Sequence, residues 1–129
     1  IHADLLAKNI LFAADGSPRP LDFAYCGWGY YLYDLAPLLW QLRGLVADYA
    51  TLEDALWSAY VAQRPALAGH RAALEGFIAA RQVASIRWLL GNLDHPAVRD
   101  HARDLLAARI TELRDYLATG RLHRQSRTL

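Results

Sequence analysis

The sequence predicts a mainly α fold in which one short β-hairpin packs on a bundle of about four helices. Three observations carry that expectation. Beyond residue 30, apolar residues recur at three- and four-residue spacing, the signature of amphipathic helices. Near the start, two short β-prone runs flank Asp15-Gly16-Ser17-Pro18, which is strong turn chemistry. A length of 129 residues with 54% hydrophobic residues suffices for one core, not two.

Residues 1–29 read as loop, strand, turn, strand, loop. Asn9-Ile10-Leu11-Phe12 is the first strand and Pro20-Leu21-Asp22-Phe23 the second, and Gly27-Trp28-Gly29 closes the section with two residues that allow unusual backbone angles. The first helix spans Tyr30 to about Leu45, with Tyr31, Leu35, Leu38, Leu39 and Leu42 on one stripe. Pro37 requires that it begin near residue 35 or be kinked. Thr51-Leu52-Glu53-Asp54 reads as an N-cap with an acidic first turn, opening a helix that stops before Pro65. A third helix runs from about His70 to Gly91 through Leu74, Phe77, Ile78, Ile86 and Leu89. Asp94-His95-Pro96 caps a fourth, which ends at Gly120. Trp40, Trp57 and Trp88 stand at helical spacing and are expected in the core.

Composition excludes several function classes. A charged fraction of 21% and a formal net charge of +1 leave no large field, so nucleic acid is not an expected partner. The basic tail with Arg121, His123, Arg124 and Arg127 reads as a solvated end. The single cysteine, Cys26, excludes an internal disulfide framework and suits a reducing cytoplasm. No apolar run approaches the ~20 residues of a membrane helix, so no membrane partner is expected. His70, His95 and His101 lack metal-ligand spacing and read as helix-surface or capping residues.

The chemistry lies in the first section. Asp4 and Asn9 stand five residues apart in His2-Ala3-Asp4-Leu5-Leu6-Ala7-Lys8-Asn9, and Asp22 follows thirteen residues later in Leu21-Asp22-Phe23. Phosphoryl transfer from a nucleotide needs one carboxylate to accept the proton of the attacking hydroxyl. It also needs oxygen donors for the metal ions that neutralise the phosphates.

An H-x-D-x-x-x-x-N segment followed by a strand, a turn and D-F resembles the catalytic and metal-binding loops of the protein-kinase-like superfamily. Within it, the match is to the aminoglycoside phosphotransferase and choline kinase group of small-molecule kinases. The resemblance covers residues 1 to about 36 in specific motif. It implies that Asp4 is the catalytic base and that Asn9 and Asp22 are ligands of Mg²⁺. ATP or GTP would be co-substrate and a small hydroxylated compound the acceptor. It further implies that His2 is structural, and that Asp34 caps the following helix and ties down the catalytic loop. Trp28, between two glycines beyond the metal loop, is a candidate border of the acceptor pocket.

The family's loop commonly reads H-G-D-L-H-x-x-N, whereas Ala3 and Leu6 stand here at the glycine and second histidine, and Ala24 follows Asp22-Phe23. Ala3 is expected to keep a standard backbone conformation, without a tight glycine turn. The motif begins at residue 2 and the sequence has no methionine. Residues 1–129 are therefore expected to form the C-terminal catalytic lobe of a longer kinase-like phosphotransferase, with the N-terminal nucleotide-binding lobe absent. Such a piece should be inactive alone and prone to self-association. Two other readings stay open: a degenerate kinase-like lobe that only binds, and a metal-dependent hydrolase using His2, Asp4 and Asp22.

Overall fold

The computed structural model describes residues 1–123. A two-stranded antiparallel hairpin, β1 (Ile10–Phe12) and β2 (Pro18–Pro20), precedes four helices: α1 (Leu32–Leu42), α2 (Tyr49–Gln63), α3 (Leu74–Gly91) and α4 (Ala102–Thr119). The mainly α class with one small hairpin is the class that the sequence predicts.

The hairpin pairs Ile10 with Pro20, Leu11 with Arg19 and Phe12 with Pro18. Gly16 takes a φ of 78° in the turn, and Asp15 Oδ1 accepts from the Ser17 N–H (2.9 Å) and hydroxyl (2.6 Å). The second strand therefore lies two residues earlier than Pro20–Phe23. Asp22 enters the left-handed region at φ 61°, which ends the pairing, and Phe23–Tyr25 form a 3-10 turn. Gly27 and Gly29 have ordinary φ values; Gly29 instead permits close approach, since a Cβ there would collide with the Ile1 side chain.

Helix α1 continues through Pro37, which lacks the N–H that residue 37 would give to the carbonyl of Tyr33. Helix α2 is capped one turn earlier than predicted, by Asp48, whose Oδ1 accepts from the Thr51 N–H (3.3 Å). A 3-10 segment, Pro65–Ala73, links α2 to α3. Helix α4 starts at Ala102, not beside Pro96. The carbonyl of His95 accepts from Val98 and Arg99 in a single turn, and His101, at φ −139°, interrupts the helical path before α4 begins. Gly120 closes α4 at φ 74°, its N–H donating to Tyr116 (2.7 Å).

The core sits where α1 packs against α3. Leu32, Leu35, Ala36, Leu39 and Trp40 meet Leu74 and Ile78, with Trp57 of α2 and Leu122 completing it. Trp88 departs from the expected core role and is 45% exposed. Leu122 is buried, with its carbonyl taken by Arg43 Nη1 (2.9 Å) and its N–H given to Glu75 Oε1 (2.6 Å). Leu122 thus docks the chain, while the basic Arg121 and His123 on either side of it are exposed; Arg124 and Arg127 lie outside the described residues. A buried polar brace links three helices: Trp40 Nε1 donates to Gln82 Oε1 (2.5 Å), and Gln82 Nε2 donates to the Arg109 carbonyl (3.0 Å) and Glu112 Oε2 (2.6 Å). Among the described residues, no helix is long and apolar enough to cross a membrane.

Candidate functional site

The loop before β1 is fixed from three directions. Asp34, in the first turn of α1, directs Oδ1 at two consecutive backbone donors, the N–H groups of His2 (2.8 Å) and Ala3 (3.0 Å). It does not cap α1, whose N-terminal residue Tyr31 has no side-chain cap bond. From the last turn of α1, Gln41 Oε1 accepts from the Ala7 N–H (2.7 Å). On the far side Leu21 is clasped twice: its N–H donates to the Asn9 carbonyl (2.8 Å), and its own carbonyl accepts from His2 Nε2 (2.8 Å).

His2 is consequently a strut. Its Nδ1 accepts from the Asp4 N–H (3.3 Å) while Nε2 donates to Leu21, and its ring lies 4.7 Å from that of Phe23. Both bonds require a neutral ring with the proton on Nε2, an assignment made from the network. With both nitrogens engaged, the ring has no lone pair for a metal. Among the described residues no group of three His, Cys, Asp or Glu side chains could hold a metal ion. The hydrolase reading therefore lacks its ligand set.

Ala3 adopts φ 67°, contrary to the standard conformation expected of it. The left-handed turn that a glycine would make easily is made here by alanine, at about 1–2 kcal/mol of steric cost. Asp34 fixes the N–H groups that flank His2, and the Asp4 N–H beyond Ala3 turns back to His2 Nδ1, so the turn is closed around residue 3.

These constraints bring Asp4, Asn9 and Asp22 to one place. Asp4 and Asn9 are buried, and Asn9 Nδ2 donates to the Asp4 carbonyl (2.9 Å) and to Asp4 Oδ2 (3.3 Å). Because the oxygens of Asp4 only accept, these bonds fix which end of the Asn9 amide is nitrogen and leave its Oδ1 for another partner. Asp22 is exposed and directly follows the clasped Leu21. Trp28 stands apart, wholly exposed, and does not line the cleft described next.

An open cleft of ≈ 1030 Å³ lies between this loop and the face of α3. Asp4 and Asp22 line it on one side, Arg81, Ser85, Arg87 and Trp88 on the other, with Arg109 reaching in from α4. Arg81 Nη2 pairs with Asp4 Oδ1 at 2.9 Å, and its guanidinium lies over the ring of Trp40, 5.5 Å from the centroid. Arg109 Nη1 donates to the Ser85 carbonyl (3.0 Å) and flanks the same indole at 5.4 Å. Sequence reasoning missed Arg81, Arg87 and Arg109. One signal was available: Gln82 and Ser85 continue the buried Ile78–Leu89 stripe of α3, and polar residues on a buried face mark a site or a brace.

A family model described as "Phosphotransferase enzyme family" matches residues 1–77, which include the whole loop, the hairpin and α1. The chain is similar to a protein of Rhodopseudomonas palustris (strain TIE-1) named "Homoserine kinase", with 37% identity over 95 residues. That match covers 72% of this chain and 28% of the relative, so the chain spans little more than a quarter of its length. No solved structure matches.

Proposed function

Since the chain belongs to the phosphotransferase enzyme family, we propose that it forms the catalytic lobe of a small-molecule kinase. The γ-phosphoryl of a nucleoside triphosphate would pass to an acceptor hydroxyl. One observation carries this reading: a buried carboxylate, Asp4, is held beside a buried amide, Asn9, with the free carboxylate of Asp22 clasped next to them through Leu21. In this reading Asp4 accepts the proton of the hydroxyl as the new O–P bond forms. Asn9 Oδ1 and Asp22 are hard oxygen donors, and such a pair suits Mg²⁺, which takes few protein ligands and completes its shell with phosphates and water. When bound, the ion would neutralise charge on the phosphates. The name of the relative makes a small hydroxy amino acid the first acceptor to test.

The test is a titration of ATP into the chain with and without Mg²⁺, followed by NMR. Mg²⁺ is expected to tighten binding in the wild type and to do so much less in Asp22→Asn. Equal metal dependence in both would remove Asp22 from the role. A binding-only lobe is the second reading, favoured by the Asp4–Arg81 pair, which ties up one oxygen of the base. Phosphorylation of an acceptor by any protein carrying this lobe, lost in Asp4→Asn, would exclude it.

A further inference from the structure

The charge of the cleft does not follow from the composition of the chain. The formal net charge is only +1, yet Lys8, Arg81, Arg87 and Arg109 line this one cleft against Asp4 and Asp22. The cations also divide by position. Lys8 lies in the loop beside Asn9, whereas the three arginines come from α3 and α4 across the cleft, where Arg81 reaches over to Asp4. We propose, resting on the kinase reading above, that the acceptor bears a carboxylate in addition to its hydroxyl, and that Arg81, assisted by Arg87, recognises it.

Arg81 is built for the task. Asp4 holds Nη2 and the Trp40 ring lies beneath the guanidinium, so the planar fork is fixed before a ligand arrives. The second terminal nitrogen, Nη1, has no partner among the described residues. A hydroxyl presented to Asp4 would therefore lie within a few ångströms of an oriented N–H donor, the separation between the two ends of a small hydroxy acid. Guanidinium groups bind carboxylates through paired, charge-assisted hydrogen bonds, which an ammonium cannot reproduce. Arg87 is exposed and makes no ion pair among the described residues, so its charge is available to an anion. Trp88, seven residues beyond Arg81 and hence on its face, supplies an apolar wall for the carbon chain. A polycationic or quaternary-ammonium acceptor would instead meet like charge. Of the aromatic rings that line the cleft with Trp88, that of Trp40 is already flanked by Arg81 and Arg109.

L-Homoserine and 3-aminopropan-1-ol share the hydroxyl and the amine and differ in the carboxylate, so they test the proposal directly. Each is titrated into the ¹⁵N-labelled chain, with the backbone and arginine Nε signals followed; Arg81→Lys and Arg87→Ala are treated alike, and MgATP is titrated into the same samples. The wild type is expected to bind homoserine about tenfold more tightly than the amino alcohol, as one charge-assisted contact predicts. Both variants should lose that preference while keeping their affinity for the amino alcohol, and Arg81→Lys keeps the charge in case a neutral residue at 81 unfolds the chain. Equal affinity for the two compounds, no binding of homoserine, or variants that change only MgATP affinity would overturn the proposal. If MgATP binds normally while the carboxylate preference is absent, the acceptor inference alone falls. If the preference is present but MgATP binding shows no dependence on Asp22, the kinase reading alone falls.

Discussion

Arg81 Nη2 lies 2.9 Å from Asp4 Oδ1, across 77 residues of sequence, while Asn9 Nδ2 approaches the other carboxylate oxygen at 3.3 Å. One carboxylate thus joins the loop before β1 to the middle of α3. The pair is largely shielded, with side-chain exposures of 17% for Arg81 and 12% for Asp4. Removing one partner leaves a charge in a poorly solvated place, where loss runs above that of a surface pair.

Arg81→Leu is expected to destabilise the chain by on the order of 2 kcal/mol, and Asp4→Asn by less, since asparagine still offers a carbonyl oxygen. The double variant should cost clearly less than the sum of the singles. Urea unfolding of the four proteins measures this, and strictly additive values would mean that the two residues do not interact in solution.

The two N–H groups that converge on Asp34 define the second prediction. Asp34→Ala leaves both donors without an acceptor and is expected to cost about 2 kcal/mol, whereas Asp34→Asn keeps an oxygen in place and should cost markedly less. Hydrogen exchange at Ala3 and Asp4 should speed up in the alanine variant. Unchanged exchange there would show that the loop is held by its other anchors.

Much of the fold was legible because its signals are local. The turn at Asp15-Gly16, the stripes of α1 and α3 and the left-handed stop at Gly120 each depend on residues a few positions apart. The errors arose where local signals competed. Asp94-His95-Pro96 has cap chemistry but opens only one turn before the break at His101. Proline at position 20 suggested a strand beginning, whereas it ends one: Leu21 still bonds to Asn9 opposite it, but Asp22 then turns left-handed. That Asp4 and Asn9 meet, and that Asp4 and Asp22 line one cleft, was foreshadowed by the motif that holds them. Arg81 and Arg109 were not, since no spacing links position 4 to a helix that reaches it only after the bundle has closed.

Ala3 offers a gain in stability. At φ 67° an alanine carries steric strain that glycine lacks, offset in part by the greater freedom of glycine in the unfolded chain. Ala3→Gly should therefore stabilise by about 0.5–1 kcal/mol, read as a higher urea midpoint at an unchanged slope. A lower midpoint would mean that residue 3 is not left-handed in solution.

The last prediction concerns alkaline stability. Tyr49 packs beside α1 with the Arg43 guanidinium 4.8 Å from its ring centroid. Burial is the largest influence on its phenol and raises the pKa well above the ordinary 10.0; Glu53 adds to the rise, and Arg43 opposes it without prevailing. Tyr60 shifts the same way, through burial first and then the charge of Asp34. A raised folded-state pKa means that the native chain holds the proton more firmly than the unfolded one. That contribution is complete below the unfolded pKa near 10 and is lost as pH climbs from there toward the folded value. Each tyrosine can remove up to about 1.4 kcal/mol per pH unit in that window. Urea midpoints should hold steady from pH 7 to 9 and fall from pH 10 to 11.5, and Tyr49→Phe should flatten the fall without abolishing it, because Tyr60 remains. A variant whose midpoint falls as steeply as that of the wild type would show that the Tyr49 phenol ionises as freely in the folded chain as in the unfolded one.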